Sequence, residues 1–209
     1  MNVTFVPNPP IAIHKVLLHV CCAPCSSAIV ECLLNNGIRP TLFFYNPNIF
    51  PQEEYLRRKA EVVRYAAAQQ LELIDRDGAY DDWRAAVAGY EHDPERGRRC
   101  IRCFEIRLRE TAHYAAEHGF ELFATTLATS RWKSVEQIMH AGRLAEQAYP
   151  GTTFWAENWR KGGLQERRSE LIRLYDFYNQ DYCGCEFSIT SYKRNCQHRK
   201  KVVNNKSEQ

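Results

Sequence analysis

The sequence predicts an α/β fold, a parallel, doubly wound sheet with helices on both faces. Three observations predict it. Short apolar runs of strand length alternate with longer stretches of helical period; the runs are continuous rather than alternating, as in strands buried on both faces; and glycines fall where helices should stop. The first run is KVLLHV at 15–20, followed by a helical stretch that Gly37 ends. TLFFY at 41–45 is the second strand. Leu56, Ala60, Val63 and Ala67 then step by four, three and four, which reads as one face of a helix. LELI at 71–74 is the third strand. Ile101, Phe104, Leu108, Thr111 and Ala115 mark a long helix that Gly119 ends. ELFATTL at 121–127 is the fourth strand. Ile138, Gly142, Ala145 and Tyr149 mark the next helix, which Gly151 ends, and TTFW at 152–155 is the fifth strand. Nothing resembling a repeat or a linker interrupts residues 15–188. These residues are expected to form a single catalytic domain between an N-terminal extension (1–14) and a basic tail (189–209).

The chain has 209 residues, enough for one compact domain with a core that needs no staples. Hydrophobic content of 44% and charged content of 25% are those of a globular protein, not a disordered one. No apolar run approaches the ~20 residues of a membrane span. The first residues lack a basic segment and are broken by prolines, unlike a secretory signal. The expected partner set therefore contains no membrane. The formal net charge of +3 is concentrated: residues 190–209 hold six Lys and Arg against one Glu. That tail is either a solvated terminus or an arm that collects phosphates.

In a doubly wound sheet, ligands bind beyond the carboxyl ends of the strands. The segments there are CCAPC after the first strand, NPNIFP after the second and ATSRWK after the fourth. Neither G-x-G-x-x-G nor G-x-x-x-x-G-K-[ST] occurs, so a dinucleotide fingerprint and a P-loop are both unsupported. The chain instead has nine cysteines, about 4%, too few for a disulfide scaffold. Seven fall into three groups: Cys21, Cys22 and Cys25; Cys100 and Cys103; Cys183 and Cys185. Cys100 and Cys103, three apart, share one helix face and can offer two sulfurs to one centre. A helix N-terminus favours the thiolate that metals require, and Gly184 allows a tight turn between two sulfurs. A redox pair, a structural zinc and an iron–sulfur site all satisfy these spacings; seven thiols exceed the four of one tetrahedral zinc but suit a cluster plus a second metal or redox pair. Cys32 reads as a small core residue and Cys196 as incidental.

The run from His19 to Cys25, HVCCAPC, resembles the opening signature of the QueH family of epoxyqueuosine reductases. YNPNIFPQEEY at 45–55, GRRCIRC at 97–103 followed by Arg107 and Leu108, Thr125-Thr126-Leu127 with Ser130 and Lys133, and YCGC at 182–185 continue it in order. The chain departs from that pattern at Arg131-Trp132, where a proline follows the serine in the family, and at Asn179, where an arginine is expected. The resemblance implies a Rossmann-like sheet of the adenine nucleotide alpha-hydrolase (HUP) kind. It also implies cobalamin-independent reduction of epoxyqueuosine to queuosine at the tRNA wobble position, in the cytoplasm, with a [4Fe–4S] cluster and a second metal ion, iron. The expected partners are tRNA carrying epoxyqueuosine, met through its anticodon stem-loop, and an electron donor that the resemblance leaves unidentified.

On that reading Cys22, Cys100, Cys103 and one of Cys183 and Cys185 hold the cluster, while Cys21, Cys25 and the remaining cysteine flank the second metal. Tyr182 is a candidate proton donor to the leaving oxygen and Lys133 a candidate substrate contact. Asn46 and Asn48 either organise their turn or line the site. Phosphate contacts are expected from Arg96, Arg98, Arg99 and Arg102, and stacking from Trp132, Trp155 or Trp159, each of which has a packing role as its alternative. Two other functions fit the thiols: a zinc-stabilised tRNA-binding module without redox chemistry, and a different iron–sulfur tRNA enzyme such as an adenylating thiolase. The latter would want SGGxDS where this chain has CCAPCSS.

Overall fold

A computed structural model describes residues 3–13 and 15–189. The proposed basic tail beyond residue 189, and Cys196 within it, lie outside the described residues. All five expected strands form one parallel sheet: β1 (Val16–His19), β2 (Thr41–Phe44), β3 (Leu73–Asp75), β4 (Leu122–Thr125) and β5 (Thr153–Phe154). Their order is β3-β2-β1-β4-β5. β1 lies at the centre with Leu17 opposite Thr41 on one side and Phe123 on the other, and all four of its residues are buried. Chain order reverses between β1 and β4, which makes that junction the switch point where such sheets bind ligands.

Among the described residues, the helices that accompany the sheet are α1 (Ala23–Asn35), α2 (Gln52–Ala68), α3 (Tyr80–Ala86), α4 (Arg98–Glu117), α5 (Val135–Ala148) and α6 (Leu164–Leu174). Right-handed crossovers that step outward from β1 in opposite directions put α1 and α2 on one face and α4 and α5 on the other. α6 packs on α1, and α4 packs on α5. Gly37, Gly119 and Gly151 each take positive φ just beyond a helix, as their positions predict.

The stripe read for α2 is corrected. Leu56 and Val63 are 54% and 47% exposed, and Ala60 and Ala67 are exposed beside them. The buried face instead carries Tyr55, Arg58, Val62, Tyr65 and Ala66. Its two tyrosines and buried arginine hide its period in a count of aliphatic residues. α3 and α6 were not foreseen either: each buries only one or two apolar side chains, Trp83 in α3, Leu164 and Leu171 in α6.

Before β1, the segment at 3–5 runs across the other end of the chain. Thr4 N donates to the Gly162 carbonyl (3.1 Å), Phe5 packs on Trp159, and the Cys32 thiol reaches the Phe5 carbonyl (3.4 Å). Cys32 is buried in α1, in keeping with a core role. No helix among the described residues is long and apolar enough to cross a membrane.

A candidate thiol metal centre at the switch point

β1 ends by delivering Cys21 and Cys22 to the junction with β4. Cys22 is the N-cap of α1, Pro24 presets the first turn, and Cys25 follows within it. The three sulfurs lie within 4.8 Å of one another, all buried, and those of Cys21 and Cys22 are 3.8 Å apart. Metal–sulfur bonds of about 2.3 Å at a tetrahedral ion put sulfurs about 3.8 Å apart, so this donor set fits a single soft ion.

The strand ends around the triad form a hydrogen-bonded frame. His19 is fully buried, with Nδ1 2.9 Å from Thr125 Oγ1 and Nε2 3.2 Å from the Tyr45 carbonyl. A carbonyl only accepts, so Nε2 carries the proton and Nδ1 accepts from Thr125. Burial, reinforced by Arg107, lowers the His19 pKa to about 3, which fixes the ring as neutral. The Thr126 hydroxyl accepts from Cys21 N (3.3 Å) and approaches its sulfur at 3.7 Å. Gln180 Nε2 donates to the Cys22 sulfur at 3.0 Å.

These contacts divide the charge among three thiols. Cys21 is held well below the ordinary thiol range because Cys22 and Cys25 donate to its sulfur and Lys133 and Arg107 favour its charge. Burial keeps Cys22 well above that range, and Cys25, donating to Cys21, rises to about 11. Any charge the three sulfurs carry therefore settles on Cys21, while Cys22 and Cys25 hold their protons more tightly. A bound cation would displace those protons.

Cys100 sits in the first turn of α4 and Cys103 one turn on. The pKa lowering expected there from the helix N-terminus is overridden. Burial, with Cys183 next, pushes Cys100 up to about 12, and burial likewise raises Cys103. Cys185 rises to about 11 for the same reason. Cys100, Cys183 and Cys185 line one small cavity together with Lys133, and Cys103 packs against Cys185 and Trp83. These four sulfurs do not meet the 4.8 Å spacing of the first three.

The CGC turn is held by a residue that sequence reading passed over. Arg58, 3% exposed, donates to the carbonyls of Cys183 (3.1 Å) and Tyr182 (3.3 Å) and to Glu54 (2.7 Å), whose second oxygen accepts from Tyr178 (2.8 Å). Gly184 adopts φ +127°, and a Cβ there would press on the Arg58 guanidinium at 3.0 Å. Arg107, another buried cation, donates to Asn46 Oδ1, while Asn46 Nδ2 donates to the Val20 carbonyl (3.0 Å). Both arginines lie within sequence runs whose apolar neighbours attract notice first.

The remaining candidates separate clearly. Lys133 is 6% exposed, which overturns the solvated alternative. Burial opposes its charge, but Cys183, Cys21 and Cys25 outweigh burial and raise its pKa. The Tyr182 hydroxyl donates to the Phe50 carbonyl at 2.5 Å, and burial pushes its pKa up to about 12, so it keeps its proton and directs it to that carbonyl here. Asn46 and Asn48 are both buried, and Asn46 braces the backbone as described. Arg99 is buried with Nη1 on the carbonyls of Tyr90, Glu91 and Asp93, so it clamps a loop rather than reaching for phosphate. Arg98 pairs with Asp93 and Arg102 with Glu105 on the surface, weak attachments that leave both cations accessible. Trp155 and Trp159 are 2% and 1% exposed and serve packing. A cleft of about 760 Å³, with Cys25, Cys183, Lys133, Gln180 and Tyr182 in its wall, opens the thiol region to solvent.

A parallel α/β sheet that gathers thiols, instead of a phosphate loop, at its switch point defines the class: a doubly wound α/β protein with a cysteine-centred site. The chain belongs to the epoxyqueuosine reductase QueH family, whose model matches residues 16–191. It is 46% identical over 180 residues to the epoxyqueuosine reductase QueH of Acinetobacter baylyi, covering 86% of this chain and 83% of the relative. It is 37% identical over 179 residues to that of Thermotoga maritima, covering 83% and 90%. In fold it is similar to the U34-tRNA thiolase NcsA from Methanococcus maripaludis, solved with its [4Fe–4S] cluster. That likeness has a TM-score of 0.54 and 11% identity over 92% of this chain and 67% of the other. A predicted subunit of a tRNA methyltransferase from Methanocaldococcus jannaschii is also similar, with a TM-score of 0.50 and 14% identity over 74% of this chain and 75% of that one. The HUP-like fold expected from the sequence is thus the one observed.

Proposed function

We propose that this protein is a cytoplasmic epoxyqueuosine reductase that converts epoxyqueuosine at the tRNA wobble position to queuosine, with residues 15–188 as its catalytic domain. The observation that carries the reading is a buried thiol triad and a second thiol group that reach one cleft through Cys25 and Cys183, in a member of this family. In the reaction both C–O bonds of the epoxide break, a C=C bond forms, and the oxygen leaves as water after taking up two electrons and two protons. Side chains hold protons but not electrons at a suitable potential, so a metal cofactor and an external electron donor are required.

The spacing of the sulfurs supports a division of the ligands. Cys21, Cys22 and Cys25 would hold a second metal ion, iron, and the wider set of Cys100, Cys103, Cys183 and Cys185 would hold a [4Fe–4S] cluster. This takes Cys22 out of the cluster set to which the reading by resemblance assigns it. When bound, the cluster supplies electrons singly and the ion a Lewis acid. The protein's own residues do the rest. Lys133, protonated and buried at the cleft wall, stabilises charge on the departing oxygen and carries a proton toward it. Arg58 and Gln180 hold the sulfur-bearing loops in place. Tyr182 shapes the cleft. The substrate is tRNA, entered through its anticodon loop, where unpaired bases can be splayed out.

Anaerobic reconstitution with iron and sulfide should give a sulfide-containing chromophore and, after reduction, an EPR signal. The reconstituted protein, with a chemical reductant, should convert epoxyqueuosine to queuosine in tRNA, read by nucleoside mass spectrometry. Stoichiometric zinc without a chromophore would overturn the cluster, and an intact cluster with no turnover would overturn the reaction.

A further inference from the structure

Of the four tryptophans, three are buried to within 2% exposure, whereas Trp132 is 48% exposed. Its indole lines both the small cavity beside Cys100, Cys183 and Cys185 and the large cleft. An exposed indole on a loose loop would be unremarkable, but this loop is fixed on both sides. Arg96 donates to the carbonyls of Arg131 (2.7 Å) and Trp132 (3.3 Å). Arg160 donates to those of Ser130 and Lys133, the latter at 3.0 Å. Trp132 N reaches the Ser130 hydroxyl at 3.4 Å. The backbone is thus held by two guanidinium groups while the ring faces the cleft, and the next residue, Lys133, is buried against the sulfurs. The Arg131 guanidinium lies over one face of the ring, 4.9 Å from its centroid, so a base would stack on the other face. Arg131, Lys133 and Arg168 line the same cleft with Glu95, Glu166 and Asp181, and of these cations Arg131 is the one that lies over the Trp132 ring.

We propose that Trp132 is a stacking platform for one unpaired nucleobase of the anticodon loop, next to the base being reduced, with Arg131 meeting the phosphate of that nucleotide. The proposal rests on the tRNA reading above. Pre-set geometry is what makes such a platform effective, because neither the loop nor the ring has to be ordered on binding. Stacking on an aromatic is sequence-tolerant, so the subsite contributes affinity and orientation rather than base identity.

The test uses the reconstituted holoprotein and an anticodon stem-loop RNA carrying 2-aminopurine beside the wobble position, with binding followed by anisotropy and stacking by 2-aminopurine quenching. Wild type should bind and quench. Trp132→Ala should weaken binding by about ten-fold or more and lose the quench, with KM rising more than kcat falls, while Trp132→Phe recovers most of both. Arg131→Ala should weaken binding and flatten its salt dependence. Equal affinity and equal quenching in Trp132→Ala would overturn the platform while leaving the tRNA reading intact. Loss of cluster absorbance in both Trp132 variants would overturn it in favour of a structural role. No binding by wild type would overturn the tRNA reading and this inference with it.

Discussion

Arg58 illustrates how a single residue decides the geometry of a site it does not enter. Its guanidinium joins α2 to the CGC turn and neutralises Glu54 in a pair whose side chains are 3% and 9% exposed. Arg58→Met leaves Glu54 charged and buried, so denaturant unfolding should show a loss of about 3 kcal/mol or more, with lower iron content after reconstitution. Removing both charges with Arg58→Met and Glu54→Leu should restore part of the stability but not the iron content. Cys32 makes a different prediction. Burial pushes its thiol up to about 11 from the ordinary 9. A raised pKa stabilises the fold fully below pH 9 and loses that stabilisation as pH rises through 11. Between pH 8 and pH 11, wild type should therefore lose more stability than Cys32→Ala, measured by urea midpoint. The three thiol groups were legible from spacing alone. Arg58 and Gln180 were not, and Arg107 entered only as a matched residue without a role, because nothing in their local sequence says that their partners lie on other elements.

At the scale of elements, strands were easier to read than helices. A parallel strand buried on both faces is a continuous apolar run, and β1, β2 and β4 announce themselves that way. α2 misleads because its aliphatic stripe faces solvent while a tyrosine-rich face, with Tyr65 edge-on to Tyr175 and Phe177, faces inward. α3 is too short to show a period, and α6 has too few apolar positions. The α5–β5 contact yields a test. A Cβ on Gly142 would stand 2.1 Å from the Phe154 ring. Gly142→Ala should cost about 1–3 kcal/mol by overpacking, despite alanine's better helix propensity, and should lower the urea midpoint without changing the slope.

Across the whole molecule, Cys21, Cys22 and Cys25 belong to the same buried cluster as the strands and their covering helices. Most of that cluster is aliphatic and aromatic, whereas a structural zinc domain depends on its metal to fold. Stripping metal under anaerobic conditions should therefore preserve the far-UV circular dichroism spectrum while lowering Tm and abolishing turnover. At about 2–4 °C per kcal/mol for a chain of this size, the drop in Tm reports how much the centre adds. The dispersal of the thiols along the chain bears on how the protein is made. Cys21, Cys22 and Cys25 leave the ribosome before Cys100 and Cys103, and Cys183 and Cys185 follow all five strands of the sheet. On the proposed division of ligands, a nascent chain would offer the first thiol group well before it could complete the second, so loading of the full centre would follow synthesis of every strand.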